Sequence, residues 1–393
     1  MIKVMCYVLI LFICPVTSTA QSKKTKKVKI LWEKNFGGSK VEIGWSCQQA
    51  ADKGFIIGGF TDSFESASRD IYVIKTDSEG NEQWSKVIGG KNNDFILSIK
   101  QTSDNGFIAC GGTYSNEQGI SDVYLVKLDP HGNTEWEKTY GGKKKYRGSC
   151  IIVTEENEYI LCGVKTINEI NGQDVLLMKT DFGGNVIWEK TFGGKNVDWG
   201  STVVQTTDGG FFIGGYTESF GAGKKDIFLI RTDSSGNEIW RKTFGGPGEE
   251  FIHGTSGLIQ ASDGGYVICG VTTSFGSGKM DYYIFKIDEN GDLEWEKYFG
   301  GTEDEDPLSI IEVENEHFII AGYTKSYGAG DRDIYLVKIN SEGQELWSAT
   351  HGSTEFECAI CIQELSKGEY VLCGETRNNS NGDKDVYLLK ITE

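Results

Sequence analysis

Six carboxylates and a tyrosine recur at one fixed place. Glu42, Asp94, Tyr146, Asp198, Glu250, Glu305 and Glu357 each stand four residues after a double glycine, or after Gly352-Ser353 for the last. Carboxylates converging on one ring would suit a cation or a polyhydroxyl ligand. Two of them at the right separation would suit glycoside hydrolysis. A second account is structural: each acid caps the amides of its own glycine loop. Other residues near this position do not repeat. They are Trp45, Trp199 and His253, with the basic run Lys143-Lys144-Lys145 leading through Tyr146 to Arg147. Aromatic faces beside charged groups are what carbohydrate or peptide recognition tends to use. The fifth copy carries three extra residues, so His253 rather than Glu250 is a candidate for the ring position there. We therefore take Glu42, Trp45, Asp94, Tyr146, Arg147, Asp198, Trp199, Glu250, His253, Glu305 and Glu357 as candidate ligand-binding residues.

Other chemistries have little to stand on. Of the four histidines, His131 falls in a turn remote from the acids, and none forms a spaced metal motif. No GxSxG or HExxH is present. The turn Asp288 to Asp292 carries its glycine fourth, whereas a calcium loop of the EF-hand type needs it sixth. Neither a metal nor a cofactor is expected, and no catalytic residue can be named.

What positions these residues is a repeat. Trp32, Trp84, Trp136, Trp188, Trp240, Trp295 and Trp347 are separated by 52 residues, except for one interval of 55. So regular a period means one supersecondary unit copied and stacked. Each copy reads as four short strands, here named a to d. In the second copy Phe95 to Gln101 is strand a, and a Gly/Asx turn follows. Strand b, Phe107 to Thr113, contains a double glycine. Strand c runs from Val123 to Leu128, and Asp129-Pro-His-Gly-Asn133 turns into strand d, Thr134 to Tyr140. No ten-residue amphipathic run intervenes, which excludes helical repeats and βαβ units.

Four antiparallel strands per repeat make the blade of a β-propeller. Seven d strands carry the tryptophans, and seven c strands begin at Asp70, Asp122, Asp174, Asp226, Asp281, Asp333 and Asp385. The chain opens on a lone d strand, from Ile30 to Phe36, and stops on a c strand, from Val386 to Thr392. Pairing these two would close the ring and remove both free edges. The expected fold is all-β: a seven-bladed β-propeller over residues 30–393, the last blade closed by the N-terminal strand. In such a blade the d–a and b–c connections open on one face, and that face carries everything that varies between copies. Residues found in every copy serve what every blade needs. The Asp before strand c should accept amides of the loop before it. The basic residue ending strand c should lie over an indole or pair with the Glu after Trp, as in Glu189.

The double glycine on strand b, the aromatic on c and the turn-then-Trp on d resemble kelch repeats in order of features. The segment LVKLDPHGNTEWEK resembles the tryptophan-docking motif of quinoprotein-type propellers. The whole string is similar to repeats of exported bacterial propeller proteins. These resemblances cover Ile30 to Glu393 and imply fold more than function. The kelch Pro-Arg element after Trp is missing, and no pyrroloquinoline site is recognisable.

Lys3, the apolar run Val4 to Cys14, and Ser18-Thr19-Ala20 before Gln21 have the form of an export signal over residues 1–20. A basic linker over 21–29 would follow it. No stretch is long and apolar enough to span a bilayer at about 20 residues. The formal charge of −18 argues against nucleic acid, whose binding relies on Lys and Arg neutralising phosphates. Cys150 and Cys162, and likewise Cys361 and Cys373, stand twelve residues apart on strands a and b. Export would allow each pair to form a disulfide; packed free thiols are the other reading. Together these features point to a monomeric, exported, non-enzymatic scaffold presenting its loop-rich face to a protein or glycan. The alternative is a secreted carbohydrate-active enzyme using carboxylates at the channel mouth.

Overall fold

The computed structural model describes residues 26–64, 68–116, 119–167, 172–378 and 383–393. The signal-like segment lies outside these residues. Seven sheets follow one another around a ring, each with the order a-b-c-d. Blade 1 consists of Glu42–Gln49, Phe55–Thr61, Asp70–Thr76 and Glu82–Ile88. Blade 7 takes its first three strands, Glu357–Ser366, Glu369–Thr376 and Asp385–Thr392, from the end of the chain. Its fourth, Lys29–Phe36, comes from the beginning. Trp32 pairs with Lys390 and Phe36 with Val386 across that seam. The seam strand begins at Lys29, one residue earlier than the linker boundary read from sequence. Even Lys26 is engaged, donating its amide to the Ser348 carbonyl.

Burial follows from the position of each strand in its blade. Strands b and c are covered on both faces by the neighbouring blades and read as continuous apolar runs, such as FIIGGFT at Phe55–Thr61. The outermost strand alternates: in Glu238–Phe244, EIWRKTF, exposed residues interleave with half-buried ones. Strand a lies innermost, against the a strands of its neighbours.

The repeated motif is explained by how one blade grips the next. Trp188 on strand d of blade 3 lies against Gly236 in the c–d turn of blade 4, where a Cβ would come within 2.8 Å of the indole. Gly236 has a φ of +74°, so the turn needs glycine for both conformation and clearance. The same indole packs on Phe211 at 6.0 Å between ring centroids. Two residues after the Trp, Lys190 donates to the side chain of Asn237 in that same turn, at 3.1 Å. Asp233 closes the turn by accepting the amides of Ser235 and Asn237. Trp, Lys, Asp, Gly and Asn are thus one inter-blade clasp.

At the seam no c–d turn exists to receive Trp347. The side chain of Glu393 takes its place, accepting from the Trp347 indole at 3.0 Å and from Lys338 at 2.6 Å.

The basic residue ending strand c finds a different partner from the one expected. Lys127, fully buried, pairs with Asp104 of the a–b turn and with Glu135, the residue before Trp136. The Glu after Trp points across the other side of the strand. The Asp before strand c does accept loop amides: Asp281 takes those of Ser277 and Gly278.

Candidate functional site

The repeated acids are caps. Glu42 is fully buried; its Oε2 accepts the Gly38 amide at 2.7 Å and its Oε1 accepts the Thr61 hydroxyl at 2.6 Å. Glu250 and Glu305 repeat both bonds, to Gly246 with Thr272 and to Gly301 with Thr324. Asp198 holds Gly194 and Thr217, and Glu357 holds Ser353 and Thr376. Asp94 takes the Gly90 amide and the Ser115 hydroxyl. In the third copy both partners are replaced, the acid by Tyr146 and the opposing threonine by Lys165, and the Gly142 amide donates instead to Asp122 at 2.8 Å. The loop amide is thus bonded in every copy, and the third alone draws its acceptor from the start of strand c.

The insertion in the fifth copy falls after Glu250, so His253 does not take over the ring position. Strand a of blade 5 is interrupted instead, into Glu250–Phe251 and Leu258–Gln260. The connecting residues cross to blade 6, where the Ile310 amide donates to the Ser256 carbonyl. Gly254 touches the Leu308 backbone so closely that any Cβ would collide at 1.8 Å.

One and three residues beyond each cap, strand a faces the axis of the ring. Here the copies diverge. From blade 6 through blade 1, Leu308, Cys358, Ile360, Ile43 and Trp45 pack together and fill the space. Toward blades 3 to 5 the same positions hold Arg147, Ser149, Trp199, Ser201, Phe251 and His253, and a cavity of about 270 Å³ opens between them. Trp45, Tyr216 and Lys225 are also part of its wall. Of the candidate residues, Trp45, Arg147, Trp199 and His253 therefore come together at one site. The six carboxylates and Tyr146 do not line it, and Tyr146 lies under the Lys165 ammonium.

Arg147 is sandwiched between the rings of Phe95 at 4.6 Å and Trp199 at 5.4 Å. Trp199 is stacked on Tyr216, its cross-strand partner, with 6° between the planes. Burial pushes the Arg147 guanidinium below its ordinary value and the Tyr216 phenol up to about 12. Lys225 lies over both Tyr216 and Phe251. At the far wall His253 Nδ1 bonds Asp306 Oδ2 at 2.7 Å. The Asp306 charge is the main reason the imidazole pKa is raised.

Sequence reasoning passed over Asp306, Ser149, Tyr216 and Lys225. Asp306 and Ser149 occupy the same diverging columns as Arg147 and His253, which was the available signal. No group of three or more His, Cys, Asp or Glu able to hold a metal occurs among the described residues.

All eight described cysteines are buried free thiols. Cys150 does stand opposite Cys162, and Cys361 opposite Cys373, in register. The thiols turn elsewhere. Cys150 reaches the Val203 carbonyl of the next inner strand and Cys361 that of Cys47, as the Ser98 hydroxyl reaches Ile151. Cysteine here replaces a serine that stitches neighbouring blades, rather than a disulfide partner.

No family model and no curated protein matches this sequence. Solved structures do match in fold. The WD40 domain of Neurospora crassa Pan2 is similar with a TM-score of 0.54 at 11% identity, over 90% of this chain and 89% of that one. YCF48 bound to a D1 peptide gives 0.54 at 9%, over 96% and 100%. An α-L-arabinofuranosidase from Fusarium graminearum gives 0.50 at 10%, over 75% and 92%. At these identities the likeness speaks of the propeller fold alone.

Proposed function

We propose that this chain is an exported, non-enzymatic binding scaffold whose channel mouth receives a segment of a partner protein. One observation carries the reading. The residues that frame the ring are repeated nearly without change, while the axial columns beside them diverge and leave a cavity lined by arginine, tryptophan and histidine. Rigid scaffolds place recognition where their copies differ. A cavity of about 270 Å³ falls below the roughly 300–1,000 Å³ of sites for drug-sized ligands. It has room for one anchoring side chain or terminal residue rather than an extended glycan. That YCF48, of the same fold, is seen with a peptide supports this class of ligand.

The carbohydrate-active alternative loses its proposed machinery, because the repeated carboxylates are spent as caps. Asp306 is buried and reaches the cavity through His253. No helix of the described residues is long and apolar enough to cross a membrane.

Peptide and glycan arrays probed with the chain starting at Gln21, and with its Trp199→Ala variant, test the proposal. Peptide binding lost at least tenfold in the variant is expected. Glycan binding without peptide binding, or turnover of aryl glycosides, would replace this reading with the alternative. Recovery of an uncleaved chain from the cytoplasm would remove export.

A further inference from the structure

We propose that the cavity between Arg147 and His253 is a carboxylate pocket, in which Arg147 takes the charge of a peptide ligand and Trp199 packs on the flanking side chain. The proposal rests on the peptide-binding reading above and narrows its ligand.

Of the cations lining this cavity, Arg147 is the one without an answer. Elsewhere on this face Arg69 is held by both oxygens of Asp62, and Arg332, whose Nε is also unbonded among the described residues, does not line the cavity. Lys225 has Glu249, and His253 has Asp306. Arg147 has only aromatic faces, and its Nε has no hydrogen-bond partner among the described residues. Stacking satisfies the flat sides of a guanidinium and leaves its edge, with the N–H groups, to find acceptors. Arg147 lines the cavity, as does Ser149. Ser149 is 2% exposed, and its hydroxyl also lacks a partner among the described residues. A guanidinium Nε and a hydroxyl, both buried and unbonded and both on residues lining one cavity, are costly to the free protein. A carboxylate answers both: two oxygens for the guanidinium fork and a lone pair for the hydroxyl.

The surroundings favour an organic carboxylate over a bare anion. Trp199, Tyr216 and Phe251 give the cavity an apolar wall beside the charge, suited to the rest of an amino-acid residue. Every other blade has an apolar, aromatic or acidic residue at the Arg147 position: Ile43, Phe95, Trp199, Phe251, Asp306 and Cys358. The net charge of −18 does not forbid an anionic ligand, since salt screens distant charges beyond about 8–10 Å.

The test uses the full chain from Gln21 and three peptide probes, read by tryptophan fluorescence and calorimetry. One is acetyl-Gly-Phe-Ala with a free C-terminal carboxylate, the second its C-terminal amide, and the third acetyl-Asp-Phe-Ala amide. A galacturonate trimer stands for acidic glycans. We expect at least one acidic peptide to bind tenfold or more tighter than the neutral amide. The first against the third tells a terminal carboxylate from a side-chain one. Arg147→Gln should erase the margin and Arg147→Lys keep part of it. Arg147→Met should raise the Tm of the free chain while abolishing the margin, since a purely structural arginine would lower Tm when replaced. Equal binding of all three peptides, or a margin that survives Arg147→Gln, overturns the carboxylate pocket and leaves peptide binding standing. Silence of these probes and of the peptide array removes both. Galacturonate binding that alone depends on Arg147 overturns the peptide ligand.

Discussion

Asp198 and Trp199 are consecutive residues on one inner strand, yet the first is fully buried and repeated around the ring while the second faces a cavity and is not. The first column answers a need internal to the six blades that carry an acid there: the amide of a glycine loop and a threonine or serine hydroxyl must be bonded where water is excluded. The second column faces the axis, where seven side chains meet and only some are needed to fill the space. Repetition therefore marks folding, and its breakdown marks the surface free to take on a ligand.

The comparison breaks most visibly at Asp198. Asp198→Ala strands a loop amide and a hydroxyl, and should cost about 3 kcal/mol in urea unfolding. Trp199→Ala should change stability by no more than about 1 kcal/mol while removing peptide binding. The reverse pattern would mean that the acids are the site. A smaller effect would come from completing the ring: Tyr146→Glu combined with Lys165→Thr rebuilds the acid–threonine pair of the other copies and should add about 1 kcal/mol in urea unfolding.

Smaller still are two pH effects. The folded pKa of His253 is raised by Asp306. The stabilisation from this pair is therefore full below the unfolded value of about 6.5 and fades as pH rises through the folded one. The stability gap between the wild type and His253→Asn should close toward alkaline pH. On the opposite face Glu393 behaves with the opposite sign. Lys338, Trp347 and Tyr370 hold its carboxyl down at about 2 against an ordinary 4.5. Its contribution is complete above about 4.5 and is lost as pH falls toward 2. Thermal melts of Glu393→Gln against the wild type should converge over that window, and a gap that persists at pH 2 would contradict the assigned role.

Much of the frame could be read before any coordinates, because it is written seven times. The Trp spacing implied the blades, and the order of strands implied the seam. The glycine loops suggested what their acids do. The cavity was less legible for physical reasons. Strand a carries a register shift between Gly200 and Thr202, and its equivalents recur in the other uninterrupted a strands. This breaks simple alternation at the point where it would have told axis from core. Arg147 was noticed for its charge, but its stacking depends on Phe95 and Trp199 from two other blades. Asp306 went unseen because the insertion that brings His253 to it belongs to a different blade. Local pattern speaks for the residues within a blade, and the site lies between them.

The seam has a consequence in time. Glu33 pairs with Leu389, so the seam cannot form until nearly the whole chain exists. Until then the first strand has its tryptophan and its backbone edge, but no sheet to join. Thermodynamically the wait matters little. Loop closure grows by about 0.6 kcal/mol per doubling of length, so a ring of seven blades costs only about 1.7 kcal/mol more to close than a single blade. Kinetically it is a race, between the arrival of one distant partner and any other strand edge that happens to be nearer.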